Sequence, residues 1–216
     1  MFKSFPGFAA LTLAAMAMLA AGPGMAANTT AGAPVTSADH LQTAVFAGGC
    51  FWGVDAVFRH VKGVNEVESG YAGGNAETAT YPQVSSGDTG HAEAVRVRFN
   101  PDQVSYQQLL QVFFGVAHDP TQLNRQGPDV GSQYRSAIFY GDAAQQQLAM
   151  ETIRQLDAAN GGRTQVVTQV APLKQFYPAE AYHQNYLALH PTQPYIVFND
   201  MPKLTHLRQR FPQLYR

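Results

Sequence analysis

The sequence predicts a mixed α/β (α+β) fold, a two-layer sandwich with a ferredoxin-like βαββαβ core, an added helix and strand, and an irregular C-terminal tail. Short runs of β-branched and aromatic residues alternate with stretches of helical periodicity, in the order βαβ, βαβ and then αβ. Helices packed on one face of a sheet satisfy this order of elements. With 216 residues, 45% of them hydrophobic, the chain can bury one sizeable core.

The first predicted unit is a strand, a helix and a second strand. Residues 43–47 alternate β-branched or aromatic side chains, which predicts a buried strand. Residues 50–61 place apolar side chains at helical spacing, which predicts a helix closed by Gly63. Residues 64–69 alternate as a second strand, and we expect the glycines within residues 70–74 to end it.

The second predicted unit follows a long polar loop. Residues 75–90 are rich in turn formers, and a loop of this length indicates a functional role. Residues 92–99 alternate strongly and predict a third strand. Residues 101–117 predict a helix that opens at a proline and a serine. A second long loop, residues 118–133, leads to a strand at residues 134–140.

The remaining elements complete the layer of helices. Residues 143–159 predict a helix that ends at the asparagine and glycines of residues 160–162. Residues 164–170 predict another strand, and residues 178–189 a short helix. The tail is expected to be irregular, with a basic helical turn near residues 203–210.

The N-terminus has the pattern of a secretory signal. Lys3 precedes an apolar run at residues 8–21, and small residues follow, so residues 1–26 are predicted to be a cleaved signal peptide. The alternative, an uncleaved membrane anchor, needs roughly 20 apolar residues, and this run is shorter. Residues 27–42 are polar and read as a flexible lead-in to a catalytic domain at residues 43–216. We therefore expect an exported protein of the bacterial periplasm, with no stable membrane anchor after cleavage.

The net charge and the number of cysteines limit the classes of function that the sequence supports. The formal net charge of −1 gives no indication of nucleic-acid binding. Exported chains usually carry cysteines in pairs, so the single cysteine, Cys50, is accidental, pairs between molecules or is a working thiol, and we favour the working thiol. His183 and His190 lack the spacing of metal ligands, and we expect no metal ion and no cofactor.

Cys50 lies where a strand turns through glycines into the first turn of a helix. The free backbone N–H groups and the helix dipole there favour an anion such as a thiolate. This effect is worth at most about 2 kcal/mol, which predicts a thiol pKa lowered from about 8.5 to roughly 7–8. The alternative is a small buried hydrophobic residue. The flanking glycines and the adjacent Phe51 and Trp52 favour a nucleophile.

Acids and tyrosines near strand ends are candidate proton donors. Glu93 begins an otherwise apolar strand, and its alternative role is a solvated strand-end acid. Tyr81 and Asp129 lie in the two long loops and Tyr134 directly follows the second loop, where ordinary turn chemistry is the alternative.

Several short segments resemble peptide methionine sulfoxide reductase of A type, in that family's order. They are Gly-Cys-Phe-Trp-Gly at 49–53, Tyr-Ala-Gly-Gly at 71–74, Gly-His-Ala-Glu-Ala-Val at 90–95, His-Asp-Pro at 118–120, the loop at 129–136 and Ala-Glu-Ala-Tyr-His-Gln-Asn-Tyr at 179–186. The resemblance covers roughly residues 44–190. It departs from the commoner family pattern in the tail, which contains no resolving cysteine.

The resemblance implies the role of each site residue. Cys50 is the nucleophile, Glu93 is the acid, and Phe51 and Trp52 form the pocket wall for the sulfoxide methyl group. The polar side of the site is completed by Tyr81, Asp129 and Tyr134. An ionised carboxylate would oppose the thiolate, so we expect Glu93 to be buried and protonated when it acts.

The implied reaction is reduction of methionine S-sulfoxide, free or in proteins, to methionine. Attack by Cys50 leaves a sulfenic acid, which external thiols reduce. The expected partners are proteins that contain methionine sulfoxide, free methionine sulfoxide and a thioredoxin-like reductant, and the expected state is a monomer. The biological role implied is repair of oxidised exported proteins.

Three other functions remain open from the residues alone. A thiol peroxidase would also use one cysteine, but it typically needs an arginine nearby, and none is close to Cys50 in sequence. A cysteine hydrolase would pair Cys50 with His183. A non-enzymatic binding module would keep its ligand affinity when Cys50 is replaced by serine.

Overall fold

The computed structural model describes residues 40–159, 161 and 165–216. The predicted signal peptide, residues 1–26, lies outside the described residues, as does the lead-in except for residues 40–42. No helix in these described ranges is both long and apolar enough to cross a membrane.

The described chain forms strands and helices that alternate along the sequence. The strands are β1 (Gln42–Gly48), β2 (Val64–Ala72), β3 (Ala92–Phe99), β4 (Arg125–Gln126), β5 (Asp129–Val130), β6 (Ser136–Tyr140), β7 (Gln169–Pro172) and β8 (Phe176–Pro178). The helices are α1 (Phe51–Arg59), α2 (Tyr81–Val84), α3 (Tyr106–Val112), α4 (Ala143–Ala159), α5 (Tyr186–Leu189) and α6 (Met201–Arg210).

The sheet topology confirms the predicted fold class. Six strands lie in the order β7-β6-β1-β3-β2-β8, while β4 and β5 form a separate hairpin. The central β6-β1-β3-β2 strands are antiparallel neighbours, which is the ferredoxin-like arrangement. Strand β7 extends the sheet parallel to β6, and β8 extends it antiparallel to β2. The predicted strand at residues 92–99 and the predicted helix at residues 143–159 are confirmed with the same bounds.

Aromatic side chains hold the helices against the sheet. Phe46 of β1 is fully buried, and its ring stacks on Phe58 of α1 at 5.1 Å and on Phe113 at 4.9 Å between centroids. Burying one such side chain contributes about 1.5–3 kcal/mol, and stacking adds to it. This packing fixes α1, and with it the turn that carries Cys50, against the face of the sheet at β1.

Strand β2 is longer than the sequence predicted. It continues through residues 70–72, because β8 pairs with it there and places Gly70 opposite Pro178. A Cβ on Gly70 would overlap the ring of Phe176 and the carbonyl oxygen of Tyr177. The glycine is therefore needed for a close approach between strands and does not break the strand.

Two predictions after residue 160 are wrong in their bounds. The strand predicted at residues 164–170 begins only at Gln169, and residues 162–164 lie outside the described part of the chain. The helix predicted at residues 178–189 is interrupted: Ala181–His183 form a 3₁₀ turn, and Asn185 adopts a left-handed φ of +53° before α5. A residue with left-handed backbone angles cannot continue a right-handed helix, so the helical hydrogen bonding stops there.

Helix α3 also begins later than predicted. Ser105 is its N-cap and forms a capping box with Gln108, so residues 101–104 stay outside the helix. The helix then widens into a π turn at Phe113–Ala117. The strand predicted at residues 134–140 likewise starts at Ser136.

The tail is more regular than predicted. A π turn at Ile196–Asp200 leads into α6, and both segments contact α1. Leu207 and Ile196 are fully buried. Apolar burial orders this segment although its surface is basic.

Candidate active site

Cys50 is the N-cap residue of α1, directly after β1 and two glycines. Gly49 has a φ of +89°, and a Cβ there would overlap the side chain of Gln126. The residue is 9% exposed. The predicted position of Cys50, between a buried strand and the start of a helix, is confirmed.

A cavity of about 200 Å³ lies beside this thiol. It brings together all of the site residues that the sequence predicted, namely Cys50, Phe51, Trp52, Tyr81, Glu93, Asp129 and Tyr134. Tyr195, from the tail, also lines it and was not predicted. These side chains come from segments far apart in sequence, so only the folded chain assembles the site.

Glu93 is a buried acid in contact with the start of α1. The residue is 2% exposed, and the backbone N–H of Phe51 donates a hydrogen bond of 3.0 Å to its Oε2. Burial raises the pKa of Glu93 to about 8; the Phe51 N–H opposes this rise and Asp129 adds to it. The acid therefore holds its proton at neutral pH, and a solvated strand-end role is excluded.

The predicted lowering of the Cys50 pKa is wrong. Burial raises the pKa of this thiol well above its ordinary value, and the carboxylates of Glu93 and Asp200 add to the rise. The backbone N–H of Trp52 and the ammonium of Lys203 lower the pKa by less. A helix terminus contributes at most about 2 kcal/mol, and burial of an anion costs more. The thiol therefore keeps its proton until a substrate changes its surroundings.

The aromatic wall is fixed from behind by His183. Trp52 Nε1–H donates a hydrogen bond of 3.2 Å to His183 Nδ1, and the Trp52 ring stacks on Tyr186 at 3.8 Å. The imidazole also packs on Phe51 and Tyr81, with centroids 5.0 and 4.4 Å away. His183 Nε2 has no hydrogen-bond partner among the described residues, so it is not bonded to the thiol as a cysteine hydrolase would require.

The polar side of the cavity is built from two loops and the tail. The Tyr195 hydroxyl donates a hydrogen bond to Asp129 Oδ2, which joins the hairpin to the segment before α6. Burial and the charge of Glu93 raise the pKa of both Tyr81 and Tyr134. These phenols therefore remain hydrogen-bond donors at neutral pH.

Glu180 positions one of these phenols. Its Oε1 accepts a hydrogen bond of 2.9 Å from the Tyr81 backbone N–H, and its Oε2 accepts one of 2.8 Å from the Tyr71 hydroxyl. Glu180 and His183 lie in the segment 179–186, which the sequence singled out without giving these residues their roles. Their partners are more than 90 residues away in sequence.

The arrangement suits a substrate with an apolar group beside a polar oxygen. An aromatic wall, a protonated carboxyl group and two phenols face one thiol. In the described part of the chain, no group of three or more His, Cys, Asp or Glu side chains could hold a metal ion.

Comparison with known proteins identifies a family for this chain. Residues 42–214 match the family model described as peptide methionine sulfoxide reductase. Peptide methionine sulfoxide reductase MsrA 2 of Mesorhizobium japonicum is 56% identical over 81% of this chain and 89% of its own length. MsrA of Acinetobacter baumannii is 51% identical over 81% of this chain and 98% of its own length.

Solved structures agree with the sequence relatives. The reduced form of Mxr1 from Saccharomyces cerevisiae superposes with a TM-score of 0.66 and 32% identity, over 72% of this chain and 88% of that chain. Methionine sulfoxide reductase A of Corynebacterium diphtheriae superposes with a TM-score of 0.63 and 35% identity, over 75% and 78% respectively.

Proposed function

The chain belongs to the peptide methionine sulfoxide reductase family, A type, and is a peptide-methionine (S)-S-oxide reductase; we propose that it acts through Cys50 as the nucleophile and Glu93 as the acid. The observation that carries this proposal is a cavity lined together by Cys50, the buried acid and the aromatic wall. In it, Phe51 and Trp52 contact the methyl group of the substrate, while Tyr81, Tyr134 and Glu93 surround its oxygen.

The proton inventory of the site supports this division of roles. A sulfoxide sulfur becomes electrophilic when its oxygen receives a proton, and Glu93 carries one because its pKa is about 8. The Cys50 sulfur attacks the substrate sulfur, and the proton of the Cys50 thiol passes to Glu93. The protonated oxygen is transferred from the substrate to the Cys50 sulfur. Methionine sulfoxide gains two electrons and becomes methionine, while Cys50 loses two electrons and becomes a sulfenic acid. No net proton is taken up in this half-reaction.

Epimer selectivity tests the proposed activity. With dithiothreitol as reductant, the enzyme is expected to reduce a methionine sulfoxide peptide of the S configuration at sulfur and to leave the R epimer unchanged. The reason is that the methyl group faces the aromatic wall, the oxygen faces the polar side and the rest of the substrate must extend out of the cavity, so only one configuration at sulfur satisfies all three. Separate chromatographic assays of the two epimers measure this, and equal turnover of both would contradict the proposal.

A single turnover tests the sulfenic acid step. The chain contains one cysteine, so the oxidised Cys50 has no second thiol in its own chain with which to condense. Reduced protein given stoichiometric substrate and no thiol is expected to form about one methionine per chain, because each thiol supplies one two-electron reduction. Intact mass should show one added oxygen that a sulfenic-acid reagent traps. A disulfide-linked dimer as the main product would show that a second copy resolves the intermediate.

We also propose the setting of this reaction. The signal pattern of residues 1–26 supports export to the periplasm, where the enzyme would repair oxidised exported proteins as a monomer. A thioredoxin-like domain is the proposed reductant, because the lone cysteine makes recycling depend on an external thiol.

A further inference from the structure

Cys50 also lines a second cavity, of about 140 Å³. The two cavities share Cys50, Asp129 and Tyr195. The Tyr195 hydroxyl donates a hydrogen bond to Asp129, so these two shared side chains form one bonded pair that borders both cavities. The second cavity is otherwise lined by Gln126, Gly127, Pro128, Asn199 and Lys203. It therefore borders Cys50 without including the acid or the aromatic wall.

The tail places a cation in this second cavity. Lys203 Nζ lies 3.2 Å from Asp200 Oδ1, and the Asp200 carboxylate is fully buried. A Cβ on Gly53 would overlap Asp200 Oδ1, so this ion pair is held against the first turn of α1. The Lys203 side chain is 19% exposed. Its ammonium has three donors, so two remain after the bond to Asp200.

Reduction of a sulfenic acid by a thiol uses two opposite sides of the sulfur, one for the incoming thiolate and one for the departing oxygen. A thiolate displaces the oxygen from Cys50 through a mixed disulfide. Such a displacement at sulfur is in line, so the thiolate approaches opposite the departing oxygen. In the proposed reaction that oxygen remains with Glu93, Tyr81 and Tyr134 in the first cavity. The second cavity offers an approach that does not cross these groups.

We propose that the second cavity receives the thiolate that reduces the Cys50 sulfenic acid, and that Lys203 binds this thiolate by its charge. The inference rests on the proposed function. A volume of about 140 Å³ accommodates a small thiol or one cysteine side chain, so the recognised chemistry is a single thiolate.

The step is balanced in atoms and electrons. The incoming thiolate forms an S–S bond to Cys50 as the S–O bond breaks, and the hydroxide takes a proton from Glu93 and leaves as water. A second thiol then attacks the mixed disulfide and its proton returns to Glu93, while the displaced Cys50 thiolate takes one proton from water and becomes the thiol again. Two donor thiols become one disulfide, and Cys50 gains two electrons.

Donor thiols of similar size and different charge test the role of Lys203. After one turnover, the oxidised enzyme is mixed with mercaptoethanesulfonate, mercaptoethanol or cysteamine, and recovery of the free Cys50 thiol is timed at matched thiolate concentrations. Lys203→Gln is expected to reduce the rate ratio of the anionic to the cationic donor by about tenfold, because one attractive charge near the protein surface is removed. Lys203→Glu should reverse the preference, and Lys203→Arg should restore it. The control Lys174→Glu makes the same charge change at an exposed lysine that lines neither cavity.

The two half-reactions separate failure of this inference from failure of the proposed function. Absence of methionine in the wild-type single turnover would overturn the proposed mechanism itself. A normal single turnover with the same donor preference in wild type, Lys203→Gln and Lys203→Glu would overturn the second-cavity route alone.

A second experiment replaces the small thiols with a purified dithiol protein of thioredoxin type. Slower recycling of Lys203→Glu by this protein supports the route for a cysteine side chain, and an unchanged rate overturns it for that source.

Discussion

Cys50→Ser is expected to reduce methionine formation to the background of the assay, both in a single turnover and with excess dithiothreitol. The serine hydroxyl does not ionise at neutral pH, and activating it would need a base hydrogen-bonded to it. The nearest histidine of the aromatic wall, His183, already accepts a hydrogen bond from Trp52. The loss should therefore appear in the rate of the chemical step, measured by quenched single turnover.

Serine is a matched replacement because it keeps the size and the N-cap position of the cysteine. The variant should melt at a temperature close to that of the wild type, since the residue carries no side-chain cap hydrogen bond. A lower melting temperature with partial activity would indicate a structural role for the thiol. Retained turnover in the folded variant would contradict the nucleophile assignment.

Much of the site could be predicted because its chemistry is concentrated in short segments. Cys50, Phe51 and Trp52 are consecutive, and the turn that leads into them depends on adjacent glycines. Glu93 follows a turn and opens a strand, which places it beside the end of a neighbouring strand. Local sequence pattern determines each of these features, and the structure brings them to one cavity.

The rest depends on contacts between residues far apart in the chain. The glycine at position 70 looks like a strand breaker until β8, which begins at Phe176, is known to pack against it. Tyr195 carries no motif, and its place in the site follows from its bond to Asp129, 66 residues away. No local pattern contains such pairings.

The predicted pKa of Cys50 is wrong for a related reason. A helix terminus is visible in the sequence, and its stabilisation of a thiolate was predicted correctly in sign. Desolvation depends on what covers the thiol, and the cover includes the tail that was expected to be irregular. Burial therefore dominates, with Asp200 of that tail adding to the rise in pKa.

Glu93→Ala is expected to slow sulfoxide reduction by on the order of 10²–10⁴, the usual effect of removing a general acid. Glu93→Gln should retain more activity than alanine, because the amide still donates a hydrogen bond to the sulfoxide oxygen but transfers no proton. In the wild type, kcat/KM should contain a component that falls as pH rises through about 8, where the acid ionises. This component should be absent from both variants. Rates near the wild-type value for both variants would show that Glu93 has only a structural role.

Stability measurements separate this catalytic loss from unfolding, because they should change in the opposite direction. The pKa of Glu93 is raised from 4.5 to about 8 in the folded protein. Between these two values the unfolded chain releases the proton and the native state retains it, so stability falls as pH rises across this window. Glu93→Gln removes this penalty and should stabilise the fold by on the order of 3 kcal/mol at pH 7, with no gain below pH of about 4.5. Thermal or denaturant unfolding at both pH values measures the difference. A variant that is slower and yet more stable only at neutral pH would identify Glu93 as an acid kept protonated for catalysis at a cost to stability.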